Sequence, residues 1–272
     1  MLSRVQSYLL HGIDALPCEV EVDYDDTEIN KPGAIVGLPD AAVKEALDRV
    51  GAALGNSGYG WPQGKVLINL APADVRKEGP VYDLPIAVGI LMVQGVIPTH
   101  VPKRGSLAAA DPPGLDHRRL VFAGELALDG RVRPIKGAIA LAAMARASGA
   151  MGIVVPRDNA LEAAVVEGLN VYGVSTLAEV VGVLTGHLDA EPQSPVDVGS
   201  LLRNAAAPID FVEIRGQEGV KRAIVIAAAG SHNIVQLWPR GGDGLGRQLK
   251  QSTREPLPFA AGPTRKSSKM IV

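Results

Sequence analysis

The feature that most constrains this chain is the stretch 83–94, DLPIAVGILMVQ, which is apolar on nearly every side. Its composition predicts a helix, with Pro85 accepted in the first turn, where no intrahelical bond is lost. A helix without a polar face has to be covered all round, so it belongs inside a layered fold. Ahead of it residues 65–70 read as a strand, and the two are joined through a turn carrying Lys77, Glu78, Gly79 and Pro80. A charged Gly-Pro turn at a helix entrance is a candidate site, because the first helical N–H groups are unpaired there. Asp83 reads as a helix-start residue, and Glu78 as part of a structured turn or an intersubunit contact.

The flanking chain supplies the covering layers. Residues 4–10 and 18–24 read as strands around the turn His11-Gly12-Ile13-Asp14. In the second, Cys18, Val20 and Val22 alternate with Glu19, Glu21 and Asp23, the period of a strand with one wet face. A short strand at 34–37 leads to a helix that opens at Leu38-Pro39-Asp40. Its apolar side carries Ala42, Val43, Ala46, Leu47, Val50 and Leu54, and its polar side Lys44, Glu45, Asp48 and Arg49. Residues 97–119 are rich in Pro, Gly and Ala and read as a surface loop with short helix near Leu107, which leaves Ser106 and His117 as surface residues. A strand at 120–126 and the Asp129-Gly130 hairpin follow. Then come a helix at 139–147, a strand at 152–155, a helix at 159–167, a strand at 170–173 and a helix at 176–184, capped by Thr176 with Glu179 three residues on. This order predicts an α/β domain of the α+β type over residues 1–185, with a mixed sheet. Residues 186–207, opening on Pro, Asp, Glu, Gln and Ser, read as a linker.

Composition excludes several classes. Cys18 is the single cysteine, so no internal disulfide or thiolate metal site can form. No run of apolar residues reaches membrane-spanning length, and the opening MLSRVQSYLLHGID turns polar too early for a signal peptide, which makes the cytoplasm the expected location. Formal charge is -2 overall, yet residues 231–272 carry seven Lys/Arg against Asp243 and Glu255. The body is therefore mildly acidic and offers no bulk attraction for nucleic acid, while the tail is basic.

Two segments together resemble the proteolytic domain of the Lon protease family, a fold also seen in ribosomal protein S5 (domain 2). They are Lys77-Glu78-Gly79-Pro80 and Pro134-Ile135-Lys136-Gly137-Ala138. In that family the first is followed by the nucleophilic Ser and the second by the Lys that activates it. Here Val81 and Ile139 stand at those positions. Neither side chain attacks a carbonyl or moves a proton, so the resemblance implies a domain without the dyad and with no catalytic residue. Lys136 beside Gly137 reads as a solvated lysine near the turn.

Beyond the linker, residues 208–240 resemble the opening of an AAA+ ATPase domain of the magnesium-chelatase-like group. Pro208-Ile209-Asp210-Phe211-Val212-Glu213-Ile214-Arg215-Gly216-Gln217 precedes a helix at 217–229, then Ser231-His232-Asn233 and a strand. Ile214, Gly216 and Gln217 are the vestigial nucleotide-binding positions that this resemblance implies. A Lon-like domain followed by this opening is similar to the ComM family, also called YifB. Its phosphate loop needs a Lys for the β/γ phosphates and a hydroxyl for Mg²⁺. This chain instead reads Trp238-Pro239-Arg240-Gly241-Gly242-Asp243-Gly244-Leu245, with Gly244 and Leu245 at those two positions.

The resemblance implies that intact relatives are ATP-driven rings, hexameric homo-oligomers that use ATP and Mg²⁺ in DNA branch migration during natural transformation. Magnesium insertion by a chelatase-type subunit is the alternative use of the architecture, and a pure nucleic-acid or protein interaction module is another. For this chain the expectation is no bound cofactor, no metal site and no membrane partner. The sequence reads as truncated or frameshifted at the phosphate loop, with residues 241–272 expected to be disordered.

Overall fold

A computed structural model describes residues 1–29, 33–99, 114–197, 199, 211–230, 232, 234–235 and 270–271. Two compact units are present, Met1–Asp197 and Val198–Val272. The expected helix near Leu107 and Ser106 lie outside the described residues.

The first unit is built on a seven-stranded mixed sheet of order β3-β4-β2-β1-β5-β8-β9. Strands β1 (Leu2–His11) and β2 (Asp14–Asp25) form an antiparallel hairpin closed by Gly12 and Ile13, in register from His11↔Asp14 to Leu2↔Asp23. Strand β4 (Lys65–Ala71) runs antiparallel to β2, and β3 (Ala34–Val36) lies parallel to β4 at the edge. On the other side of β1, strands β5 (Leu120–Phe122), β8 (Gly152–Pro156) and β9 (Asn170–Val174) are all parallel. A small hairpin, β6 (Glu125–Leu126) with β7 (Val132–Arg133), turns at the expected Asp129-Gly130.

Helices cover the sheet on both faces. One core joins Val5, Leu9, Cys18, Val20 and Val22 of the hairpin to α1 (Ala41–Lys44), α2 (Ala46–Asn56), α3 (Asp83–Val93) and α6 (Leu177–Thr185). A second core gathers Tyr8, Val121, Ile153 and Val155 with α4 (Ala138–Ala147) and α5 (Arg157–Ala163). Beyond α4 the second face of β1, β2 and β4 is polar and bonded across strands. Gln6 Nε2 reaches Glu19 at 2.6 Å, Arg4 reaches Glu21 at 3.2 Å, and Asn69 reaches Glu21 at 2.9 Å. The alternation around Cys18 in the sequence reports this division into a dry and a wet face.

All residues of α3 are buried, as its lack of a polar face demands. Each of its Leu, Ile and Val side chains contributes about 1.5–3 kcal/mol by leaving water. Gly89 permits the close approach, since a Cβ there would stand 2.6 Å from Val22 Cγ2, and its carbonyl accepts from Ser3 Oγ at 2.9 Å.

Three local expectations need correction. The single helix expected after Asp40 is two, α1 and α2, meeting at Glu45. Helix α5 starts directly after Pro156, not at Asn159, because Asn159 is turned inward to exchange bonds with Ile135. Residues 186–197, read as part of a linker, belong to the first unit. In the second unit a short turn, Phe211–Glu213, precedes α7 (Glu218–Ala229). The expected strand, β10 (Ile234–Val235), pairs in parallel with β11 (Met270–Ile271), which lies within residues 241–272, expected to be disordered.

Candidate functional site

The turn between β4 and α3 is pinned by its own charged residues. Lys77 is fully buried and its Nζ donates to the Pro72 carbonyl. Its backbone N–H donates to Leu38 O at 3.1 Å, and its carbonyl accepts from Asp40 N at 3.0 Å. Asp40 then holds two segments together. One carboxylate oxygen caps α1 through Val43 N at 2.8 Å, and the other accepts Gly79 N at 3.2 Å. Gly79, at φ 80°, starts the turn of Pro80–Tyr82 that leads into α3. Gly37 supports the same corner from β3. With φ 96° and Leu70 O only 2.1 Å from where a Cβ would be, no other residue fits there.

Asp83 is not merely a helix-start residue. It is fully buried, and Arg49 of α2 clamps it with Nε to Oδ2 at 2.8 Å and Nη2 to Oδ1 at 2.9 Å. Leu126 N adds a third donor at 3.2 Å, which fixes the β6–β7 hairpin to the start of α3. Burial pushes the Asp83 carboxyl above the ordinary carboxylate range, and the Arg49 fork pulls it partway back. The same hydrogen bonds raise Arg49, which stays charged. The sequence reading put Arg49 on the solvent side of its helix. The signal that it is not there is Asp83 itself, since a carboxylate entering an all-apolar helix needs a cation.

Below the turn lies a layer of buried ionisable groups. Cys18 is 1% exposed, and burial pushes its thiol up to about 12, with Lys77 acting in the opposite sense. Burial also lowers the Lys77 ammonium and raises the Tyr82 hydroxyl. Tyr8, raised for the same reason, donates to Lys136 O at 2.7 Å and ties β1 to the segment before α4.

The Lon-like positions are not brought together as a polar pair. Val81 is half-buried and packs against both cores, with its carbonyl accepting Gly124 N at 3.0 Å. Ile139 is 46% exposed on the first turn of α4. Pro80 is half-buried, and Glu78 is exposed 3.7 Å from Arg76. The Lys136 side chain is exposed. His117, expected on the surface, is buried at 4%. Among the described residues no cluster of His, Cys, Asp or Glu has the makings of a metal site.

In the second unit Ile214 is half-buried and its N–H bonds to Phe211 O at 3.2 Å. Gly216 and Gln217 are exposed at φ 68° and 61°, and this left-handed pair turns the chain into α7. Lys221 bonds Glu218 at 3.0 Å on the first turn of that helix.

Known proteins are similar to this chain in sequence. The family model for subunit ChlI of Mg-chelatase matches residues 20–159, which takes in the turn, Val81 and Ile139. A second model, magnesium chelatase, subunit ChlI, matches residues 210–253 and takes in Ile214, Gly216 and Gln217. The competence protein ComM of Haemophilus influenzae is 36% identical over 243 residues, 88% of this chain and 44% of that protein. The chain belongs to the ComM/YifB family. YifB of Escherichia coli is 39% identical over 243 residues, covering 88% of this chain and 43% of its own length. An uncharacterised protein of Mycobacterium tuberculosis is 34% identical over 241 residues, with 88% and 44% covered. The chain thus spans a little under half the length of the ComM and YifB relatives it matches. No helix among the described residues is long and apolar enough to cross a membrane.

Proposed function

We propose that this chain is the accessory domain and the opening segment of a ComM-type ATPase, and that alone it holds no catalytic centre. One observation carries this reading. The two buried charges of the turn, Lys77 and Asp83, are already engaged, one by the Pro72 carbonyl and the other by Arg49. Groups held this way build a scaffold. Val81 and Ile139 add no nucleophile or base, so the turn is the frame of a Lon-like domain without its chemistry.

ATP turnover then rests on sequence outside this chain's own residues. A phosphate loop works through a lysine and a Mg²⁺-ligating hydroxyl. Gly244 and Leu245 supply neither, and Asp243 would repel phosphate. In intact relatives the reading is an ATP-driven hexameric ring that moves DNA branches during natural transformation; the name of the Haemophilus relative, a competence protein, supports the last of these alone. The first unit contributes shape more than charge to such work. Its exposed Arg118, Arg131, Arg133 and Arg157 are each paired, with Asp116, Asp129, Glu125 and Glu179.

Magnesium insertion into protoporphyrin is the second reading, favoured by the names of both matching family models. Identity across 88% of the chain lies with ComM and YifB, which favours the first. The test is ATP turnover by the purified 272-residue chain, with DNA affinity followed through a salt titration. The expected result is no turnover and at most weak, steeply salt-dependent DNA binding. Turnover that heating abolishes would overturn the proposal. Saturable, salt-resistant protoporphyrin binding in place of DNA binding would favour the chelatase reading.

A further inference from the structure

The stretch after α6 has a spacing that a free tether does not need. Ala190, Gln193 and Val196 are half-buried, while Glu191, Pro192, Ser194 and Pro195 between them are exposed. An inward residue at every third position is the repeat of a polyproline II helix, and prolines 192 and 195 favour that backbone. Each inward residue has a seat on the first unit. Ala190 packs against the α3 core, and Val196 against the α4–α5 core. Between them Gln193 N donates to Val171 O at 2.7 Å, on the outer edge of β9. The near end is locked at Gly182, whose carbonyl accepts Leu188 N at 3.0 Å. A Cβ on Gly182 would stand 2.6 Å from Leu188 Cδ1, so the Leu188 side chain rests on the bare helix backbone.

We infer that residues 186–197 are a strap that covers the outer edge of β9 and releases as one unit without unfolding the sheet. Its described ties are short and spread out: the bonds at Leu188 and Gln193, a longer one from Val196 N to Ala164 O at 3.4 Å, and the His187 ring 2.7 Å from Thr185 Oγ1, with Asp197 also engaged at the far end. The other side of β9 is secured by a five-residue parallel ladder with β8, from Gly152↔Asn170 to Pro156↔Val174. Segments with few bonds and little buried surface open well below the global unfolding free energy. Release leaves the Val171 carbonyl without its donor and bares a strand edge, which pairs readily with other extended chain. The chain runs on from Asp197 directly into the second unit, so a pull on that connection reaches the strap before it reaches the sheet. The strap is thus a conformational device, a guard on one sheet edge whose closure is open to mechanical control.

Hydrogen exchange on the full 272-residue chain tests this. In the unmodified protein the amides of Leu188, Gln193 and Val196 are expected to exchange together, more slowly than those of Glu191 and Ser194. They are expected to exchange faster than the amides of β8. Val196→Asp, which leaves Gln193 unchanged, is expected to speed Gln193 exchange by about tenfold or more, with the β1–β2 hairpin unaltered. Gly182→Ala, which dislodges Leu188 from the other end, is expected to do the same. Free-peptide exchange at Gln193 in the unmodified chain would overturn the inference, because the segment would then be a tether. Equal acceleration of the β1–β2 amides would also overturn it, because the strap would then open only with the whole unit.

Discussion

Removing Arg49 by Arg49→Ala isolates the energetics of the turn. The substitution leaves the Asp83 carboxylate fully buried with one remaining donor, Leu126 N at 3.2 Å. It deletes two charge-assisted bonds of 2.8 and 2.9 Å, and a third from Arg49 Nη2 to Ala42 O at 2.8 Å. Breaking a buried pair from one side costs about 3–5 kcal/mol, since the stranded charge keeps its desolvation penalty. Replacing both partners, as in Arg49→Met with Asp83→Leu, removes that penalty and is expected to lie within about 1–2 kcal/mol of the parent. The assay is urea unfolding followed by far-UV circular dichroism at constant pH. The pH dependence has a definite sign. With Arg49 gone, burial, joined by the Glu125 charge, is opposed only by the Leu126 N–H bond, and the Asp83 carboxyl rises further. A raised carboxyl stabilises the fold most below its unfolded value of about 3.9 and loses that contribution as pH rises through its folded value. The cost of Arg49→Ala should therefore be smaller at pH 5 than at pH 7. A loss under about 1 kcal/mol, a cost that does not change with pH, or a double variant as unstable as the single one would refute the reasoning.

Cys18 offers a probe that needs no substitution, because it is the sole cysteine and is 1% exposed. With its thiol at about 12 instead of 9.0, the thiolate at pH 8 falls by about a thousandfold, and disulfide reagents should label it only through unfolding. The same shift predicts stability that is present below pH 9 and lost as pH rises toward 12, checked by alkaline melts. Gly37→Ala places a methyl 2.1 Å from Leu70 O at φ 96° and is expected to cost about 2 kcal/mol or more, read from the urea midpoint. Restoring the Lon-like pair by Val81→Ser with Ile139→Lys is expected to give no covalent adduct with a fluorophosphonate. A lysine at this position, where Ile139 is 46% exposed, stays solvated and protonated. Stoichiometric labelling of the new serine would contradict this.

The sheet hairpin, its wet and dry faces and the enclosed helix α3 are legible in the sequence because each leaves a periodic trace. Cys18-Val20-Val22 alternates at period two, and 83–94 lacks any polar stripe. Thr176 with Glu179 marks the start of α6, and the cap forms with Thr176 Oγ1 accepting Glu179 N at 3.2 Å. What could not be read depends on partners far apart in the chain. Arg49 looks like any polar-face residue until Asp83 is seen beside it, and Lys77 looks solvated until Leu38, Asp40 and Pro72 close around it. Residues 186–197 were hidden for a different reason. Their Pro-rich composition suggests a tether, and only the threefold spacing of Ala190, Gln193 and Val196 distinguishes a seated strap from a free one.

Asp40 carries a consequence for substitution. Its two oxygens serve two amides, Val43 N on α1 and Gly79 N on the turn. Asparagine has one acceptor oxygen and would satisfy only one of them, while glutamate is one carbon too long to keep both distances. A position that must answer two distant segments through one three-atom group is close to a fixed letter. The corner of the domain is therefore written once, at residue 40, and the loops around it are free to vary only as far as that letter can still be read from both sides.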